Sequence, residues 1–241
     1  MVVTDETRNT MAAAAALAAE LVAQGIHLRV EDGGLRFDAP TGAFDAALKA
    51  RVREARADLM HLLAGPVAAP LSSGQERMWF LNRLDDGGAG YTEHLAFRFD
   101  GPLDRVALSR ALALIVARHP ALRTRFRDGA DGPEQVIEPP RPFDLPILDL
   151  TGRPEALDAA LDAAAHRPVD LAVDPHVRFE LITLGPDRAV LSVSAHHAAW
   201  DGWSNGLFID EVQAAYAAYV QGTPPVLSVR DPSPADMARR Q

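Results

Sequence analysis

Ser194-Ala195-His196-His197-Ala198-Ala199-Trp200-Asp201-Gly202-Trp203-Ser204 sets two adjacent histidines, an aspartate and a glycine at one junction. The apolar run Ala189-Val190-Leu191-Ser192-Val193 leading into it reads as a buried strand. Trp203 to Tyr219, following it, reads as a helix. Chemistry in α/β folds gathers where strands end. A histidine there has its ring held by neighbours and an unperturbed pKa near neutrality, so it can take or give a proton. Successive strand residues face opposite sides, so one of His196 and His197 faces a cleft while the other packs. Asp201 either orients the base or pairs with an arginine and holds the loop, and Gly202 allows a tight turn. By spacing alone, a structural His-His corner and an active site stand equally.

Working outward, Arg178 to Leu184 and Arg188 to Ser194 read as a strand pair across Gly185-Pro186-Asp187. Glu93 to Phe99 alternates Leu95, Phe97 and Phe99 on one face, a further strand. Leu103 to Arg118 reads as a helix that His119-Pro120 ends. Leu122 to Phe126 is a strand that turns at Asp128-Gly129 toward Glu134 to Ile137. Glu138 to Pro146 is proline-rich and irregular, and Ala156 to Ala165 reads as a helix. Ser73 with Glu76 is a capping-box signal opening a helix that carries Met78, Trp79, Phe80 and Leu81. Asp85 to Gly90 reads as a loop. Alternating strands and helices predict an α/β sandwich with a mixed sheet over residues 71–222. Thr223 to Gln241 is rich in proline and charge and reads as a crossover or linker tail.

Residues 1–64 form a separate block. Met1 to Asn9 is polar and expected to fray. Thr10 to Gln24 is an alanine-rich helix stopped by Gly25. Ile26 to Val30 and Leu35 to Phe37 flank Glu31-Asp32-Gly33-Gly34, a hairpin signal with glycines supplying positive φ. Phe44, Leu48, Val52, Ala55, Leu59 and Leu62 then predict one amphipathic helix. This helix–hairpin–helix block is too short to bury much core alone. A hairpin edge can accept an added strand. Arg29 and Arg36 occupy polar hairpin positions, with Lys49, Arg53 and Arg56 at helical spacing nearby; they are an ordinary solvated face or a binding face. Residues 65–70, small and proline-bearing, read as a linker.

Composition narrows the function. The 241 residues carry a formal net charge of -9, which argues against nucleic acid as the main partner. The chain has no cysteine, so a disulfide, a thiolate nucleophile and a cysteine metal site are excluded. We expect a cytoplasmic protein with neither signal peptide nor membrane span. His27, His61, His94, His119, His166 and His176 show no metal-ligand spacing, so no metal is expected. Asp85-Asp86 lacks calcium-loop spacing, and no glycine-rich phosphate cradle is present.

His196-His197-Ala198-Ala199-Trp200-Asp201-Gly202 resembles the HHxxxDG motif of nonribosomal peptide synthetase condensation domains, relatives of chloramphenicol acetyltransferase. Leu71 to Leu81 is similar to the family's first motif and Arg118 to Phe126 to its second, in the same order. Residues 10–63 resemble the TubC-type docking domains of synthetase subunits. The fold class expected is therefore α/β (α+β): a small helix–hairpin–helix docking domain plus a chloramphenicol acetyltransferase-like sandwich lobe with a mixed sheet.

The resemblance implies amide-bond formation between a carrier-bound donor thioester and an acceptor amine. His197 is then the catalytic residue, as general base or as positioner, with His196, Asp201 and Gly202 completing the motif. Asp201 is assigned to structure, paired with a buried Arg123 or Arg178, with Asp201→Asn damaging folding. Ala198-Ala199-Trp200 is smaller than is common in relatives, which leaves the condensation subtype open. No cofactor is bound directly; phosphopantetheine arms ride on donor and acceptor carrier domains. The implied partners are those carriers, the second condensation lobe, whose motifs this chain lacks, and the acidic C-terminal tail of an upstream subunit. Arg29, Arg36, Lys49 and Arg53 are the docking candidates, and a homodimer through the docking domain is allowed. Two other readings stay open: a docking module alone, and a self-standing oligomeric acyltransferase.

Overall fold

The computed structural model describes residues 13–14, 17–22, 24–84, 89–223 and 225–227. The expectations for Met1 to Asn9, for Asp85-Asp86 and for the tail beyond residue 227 lie outside these residues.

The N-terminal block holds helical residues 17–22 (α1), strands β1 (His27–Glu31) and β2 (Gly34–Asp38), and helices α2 (Ala46–Glu54) and α3 (Arg56–Leu63). The hairpin turns on Asp32 and Gly33, at φ 50° and 69°. Positive φ at both central residues makes this the type I′ turn that suits strand twist. One of the two is aspartate, and Gly34 instead belongs to β2. The single helix expected over 44–62 is two helices. The chain breaks at Ala55, at φ -85° and ψ 13°, whose amide reaches both the Arg51 and Arg53 carbonyls. The break aims Leu48, Val52 and Leu59 at one core with Leu17, Leu21 and Ile26.

The larger part continues with β3 (Val67–Pro70), α4 (Ser73–Leu84), β4 (Thr92–Asp100), α5 (Arg105–Arg118), β5 (Thr124–Gly129), β6 (Gly132–Ile137), β7 (Ile147–Asp149), α6 (Leu157–Ala165), β8 (Val177–Gly185), β9 (Arg188–His196) and α7 (Gly202–Val220). One sheet runs β4-β9-β8-β7, with only β7–β8 parallel; a second runs β3-β6-β5, antiparallel. The main sheet is mixed, as expected. Residues 67–70, read as linker, are a strand paired with β6, so only Ala64 to Pro66 connects α3 to the sheet. Leu122 precedes the strand it was assigned to: Pro120–Arg123 is a 3-10 turn, and β5 starts at Thr124.

β9 is buried along its length after Arg188 because the sheet is covered on both faces. Leu191 and Val193 share one face with Phe179 and Leu181, under Leu112 of α5 and Phe208 of α7. Val190 and Ile182 face the other way, under Leu157 and Leu161 of α6. A strand covered twice reads as a continuous apolar run. The cap of α4 sits one residue before the expected one. Gln75 accepts from the Ser72 amide at 2.9 Å, and the Gln75 amide reaches the Ser72 hydroxyl at 3.3 Å. Gln75 is buried and also meets Gln135 of β6, a partner the pattern could not show.

Candidate active site at the end of β9 and candidate docking face

β9 ends at His196, and residues 197–199 turn the chain into α7. The two histidines have opposite environments. His196 is fully buried; its Nδ1 accepts the Ala198 amide at 3.0 Å. Burial, helped by the neighbouring His176 and His197, lowers its pKa to about 4, so it stays neutral at physiological pH. His176, also buried, is lowered to about 4 by desolvation. His197 is exposed, and its amide donates to the Tyr91 carbonyl at 2.9 Å. Its Nδ1 lies 3.1 Å from the Trp200 carbonyl. A carbonyl only accepts, so Nδ1 carries the proton and Nε2 is left as the basic nitrogen.

Trp200 is held in turn. It is buried against Phe208, and its Nε1 donates to Asn205 at 2.6 Å. Asn205 donates to Glu93 at 2.8 Å, which ties α7 to β4. Sequence reasoning missed Asn205, Glu93 and Tyr91. The only signal available was that Asn205 stands one turn into the helix after the motif.

Asp201 is exposed and is the N-cap of α7. Its carboxylate accepts the Ser204 amide at 2.9 Å and hydroxyl at 2.7 Å, and the Ser204 hydroxyl accepts the Asp201 amide. These bonds to Ser204 hold the carboxyl below its usual range. The expected buried pair with Arg123 or Arg178 is replaced by this capping box. Arg178 pairs with Asp174 at 2.9 Å. Arg123 donates to the Val116, Ala117 and Glu138 carbonyls, stitching the end of α5 to the segment after β6. Gly202 is the first helical residue, with open space where a Cβ would stand, so its use is clearance rather than a tight turn. A cavity of about 740 Å3 lies between α6, the β8 edge and residues 138–146. None of His196, His197, Asp201 or Gly202 lines it, so its size says nothing about this chemistry.

In the hairpin, Arg29 and Arg36 are direct cross-strand partners, both exposed. Like charges set opposite one another are unfavourable. Arg29 also meets Glu31 at 3.3 Å. Lys49 lies elsewhere, over the Phe44 ring, which packs on Phe37 of the opposite hairpin face. Arg53 is exposed on α2. Among the described residues no group of three or more His, Asp or Glu could hold a metal, and no helix is long and apolar enough to cross a membrane.

Residues 67–234 match the family model of the condensation domain, and residues 15–64 that of the TubC N-terminal docking domain. The chain therefore belongs to the condensation domain family, which forms peptide bonds from substrates held on phosphopantetheinyl carriers. More particularly, it is a segment of a nonribosomal peptide synthetase in which a docking domain precedes a condensation region. It is 39% identical over 199 residues to "Chondramide synthase cmdD" of Chondromyces crocatus, covering 79% of this chain and 5% of that protein. It is 39% identical over 169 residues to "Cyclosporin synthetase simA" of Tolypocladium inflatum, covering 70% of this chain and 1% of that one. Among solved structures it resembles the X-domain from teicoplanin biosynthesis (TM-score 0.65, 34% identity, 71% of this chain and 37% of that one). It also resembles the first condensation domain of the CDA synthetase (TM-score 0.61, 29% identity, 68% and 43%). The chain thus spans about two fifths of these solved domains and a few per cent of the curated synthetases.

Proposed function

We propose that this chain receives an upstream synthetase subunit by its C-terminal tail and contributes His197 to amide-bond formation between a donor thioester and an acceptor amine. The observation that carries the catalytic part is the His197 tautomer: Nδ1–H bound to the Trp200 carbonyl, in an exposed loop, with Nε2 basic. His196 is buried and depressed to about 4, which makes it a support and not a base. A thioester is already reactive, so holding the amine in line supplies much of the rate. Nε2 of His197 accepts a proton from the attacking amine or holds that amine by a hydrogen bond.

The docking part rests on the opposed Arg29 and Arg36, whose charge suits an acidic tail laid along the hairpin edge. Donor and acceptor carriers are the remaining partners of this reading, with the cytoplasm as its compartment.

The test is condensation by a synthetase carrying His197→Ala. The expected loss is about 10²–10⁴-fold in single-turnover product formation, the range of a general base. Unchanged turnover would remove His197 from the chemistry. A pH–rate profile that stays bell-shaped in His197→Gln would favour positioning over proton transfer.

A further inference from the structure

The docking block touches the condensation lobe through more than the short connector at residues 64–66. Within α1, consecutive side chains serve two cores. Leu17, Ala18 and Leu21 pack inward on the block's own hairpin and helices. Ala19, fully buried, instead joins Ala107, Ala111, Leu114 and Ala117 of α5 with Ala215 and Tyr219 of α7. Small side chains on all three helices allow close approach of their backbones. Glu20, the next residue, is close enough to Tyr219 to act on it electrostatically; the phenol is pushed up to about 12, chiefly by burial. At the hairpin base, Ile26, His27 and Leu63 line a small cleft together with Pro140 and Pro142 of the segment after β6.

We propose that the α5–α7 seam is a seat that holds the docking domain in one orientation on the condensation lobe. Resting on the docking reading above, this makes capture on the hairpin directional: a bound upstream subunit presents its carrier from a set side instead of swinging on a tether. The seat lies at the far end of the helix that Asp201 caps. Ala215 and Tyr219 are 13 and 17 residues beyond Gly202 in α7. At 1.5 Å per residue that is about 20–25 Å along the axis from the His197 turn.

The test is amide 15N relaxation on the full chain, wild type and Ala19→Glu. Glutamate is a good helix former, and Ala19 takes no part in the docking core, so the substitution strikes the seam. In the wild type, hairpin residues 27–38 and sheet residues 177–196 should share one rotational correlation time. In Ala19→Glu the hairpin's should fall by about twofold or more, as a small domain tumbling on its own. Independent tumbling of the wild-type hairpin would overturn the proposal, as would an unchanged hairpin in Ala19→Glu. If Ala19→Glu unfolds α1, Ala19→Leu, an equally good helix former that overfills the same seam, replaces it with the same expected outcome. Titration of an acidic tail peptide runs alongside. Affinity equal in wild type and variant supports a seat separate from the binding face. Shared tumbling with no peptide binding would remove the docking reading, and the delivery role with it, while leaving the seat.

Discussion

His196 and His197 are adjacent in sequence, yet one is sealed and the other open, and each environment gives a prediction. His176 and His196 are neutral in the fold, with pKa values near 4, against about 6.5 when unfolded. Protons therefore bind the unfolded chain first. The stability they contribute is complete above about pH 6.5 and is lost as pH falls toward 4, by up to about 1.4 kcal/mol per pH unit for each ring. Denaturant unfolding at about pH 7 and about pH 5 measures the slope, which His176→Gln should reduce by about one proton. Asp201 gives a second prediction. As an exposed N-cap its loss in Asp201→Ala should cost about 1 kcal/mol, and Asp201→Asn, an equally good cap, should be close to neutral. A loss of roughly 3–5 kcal/mol in Asp201→Asn would restore the buried ion pair that the motif suggested. The motif spacing showed which residues gather at the turn. It could not show that Ser204 rather than an arginine meets the carboxylate, because that choice depends on where α7 begins.

At the scale of elements, α5 and α7 are joined by more than apolar packing. Glu211 of α7 is buried and meets Arg118 at 3.0 Å and His119 at the end of α5. Burial alone would raise its pKa, but hydrogen bonding to His119 and the His119 and Arg118 charges outweigh it, and the carboxyl sits below its usual range. Glu211→Ala takes a buried carboxylate away from Arg118 and His119 at once, so it should destabilise by about 3 kcal/mol. Equilibrium unfolding would show it, and a cost near that of a surface pair, below about 1 kcal/mol, would mean that water reaches the group. Strands were legible because double coverage writes an apolar run, as in Ala189 to Val193. The break at Ala55 was not legible. No proline or glycine marks it, and the apolar spacing continues across it; the shared core around Ile26 decides it.

At the scale of the whole molecule, the hairpin that carries Arg29 and Arg36 and the His197 turn belong to different cores joined at the Ala19 seam. Arg36→Glu should reduce affinity for an acidic tail peptide by about tenfold or more, since it both removes a positive charge and places a negative one opposite Arg29. Calorimetric titration checks it, and added salt should weaken the wild-type complex. Equal affinity in Arg36→Glu would move the binding face off the arginine pair.

The run from β4 through α5, the β5–β6 pair, α6 and the β8–β9 pair to α7, and the position of the motif before that long helix, followed from sequence alone. Each is written in local periodicity, turn residues or short spacing. Tertiary structure alone decided which histidine is buried and which nitrogen of His197 carries the proton. It also decided that Asp201 caps its own helix, that residues 67–70 join a sheet, and that Ala19 packs away from its own domain. Those outcomes depend on groups far apart in the chain, such as Ala19 with Ala215 and Glu93 with Asn205, whose meeting no local pattern encodes.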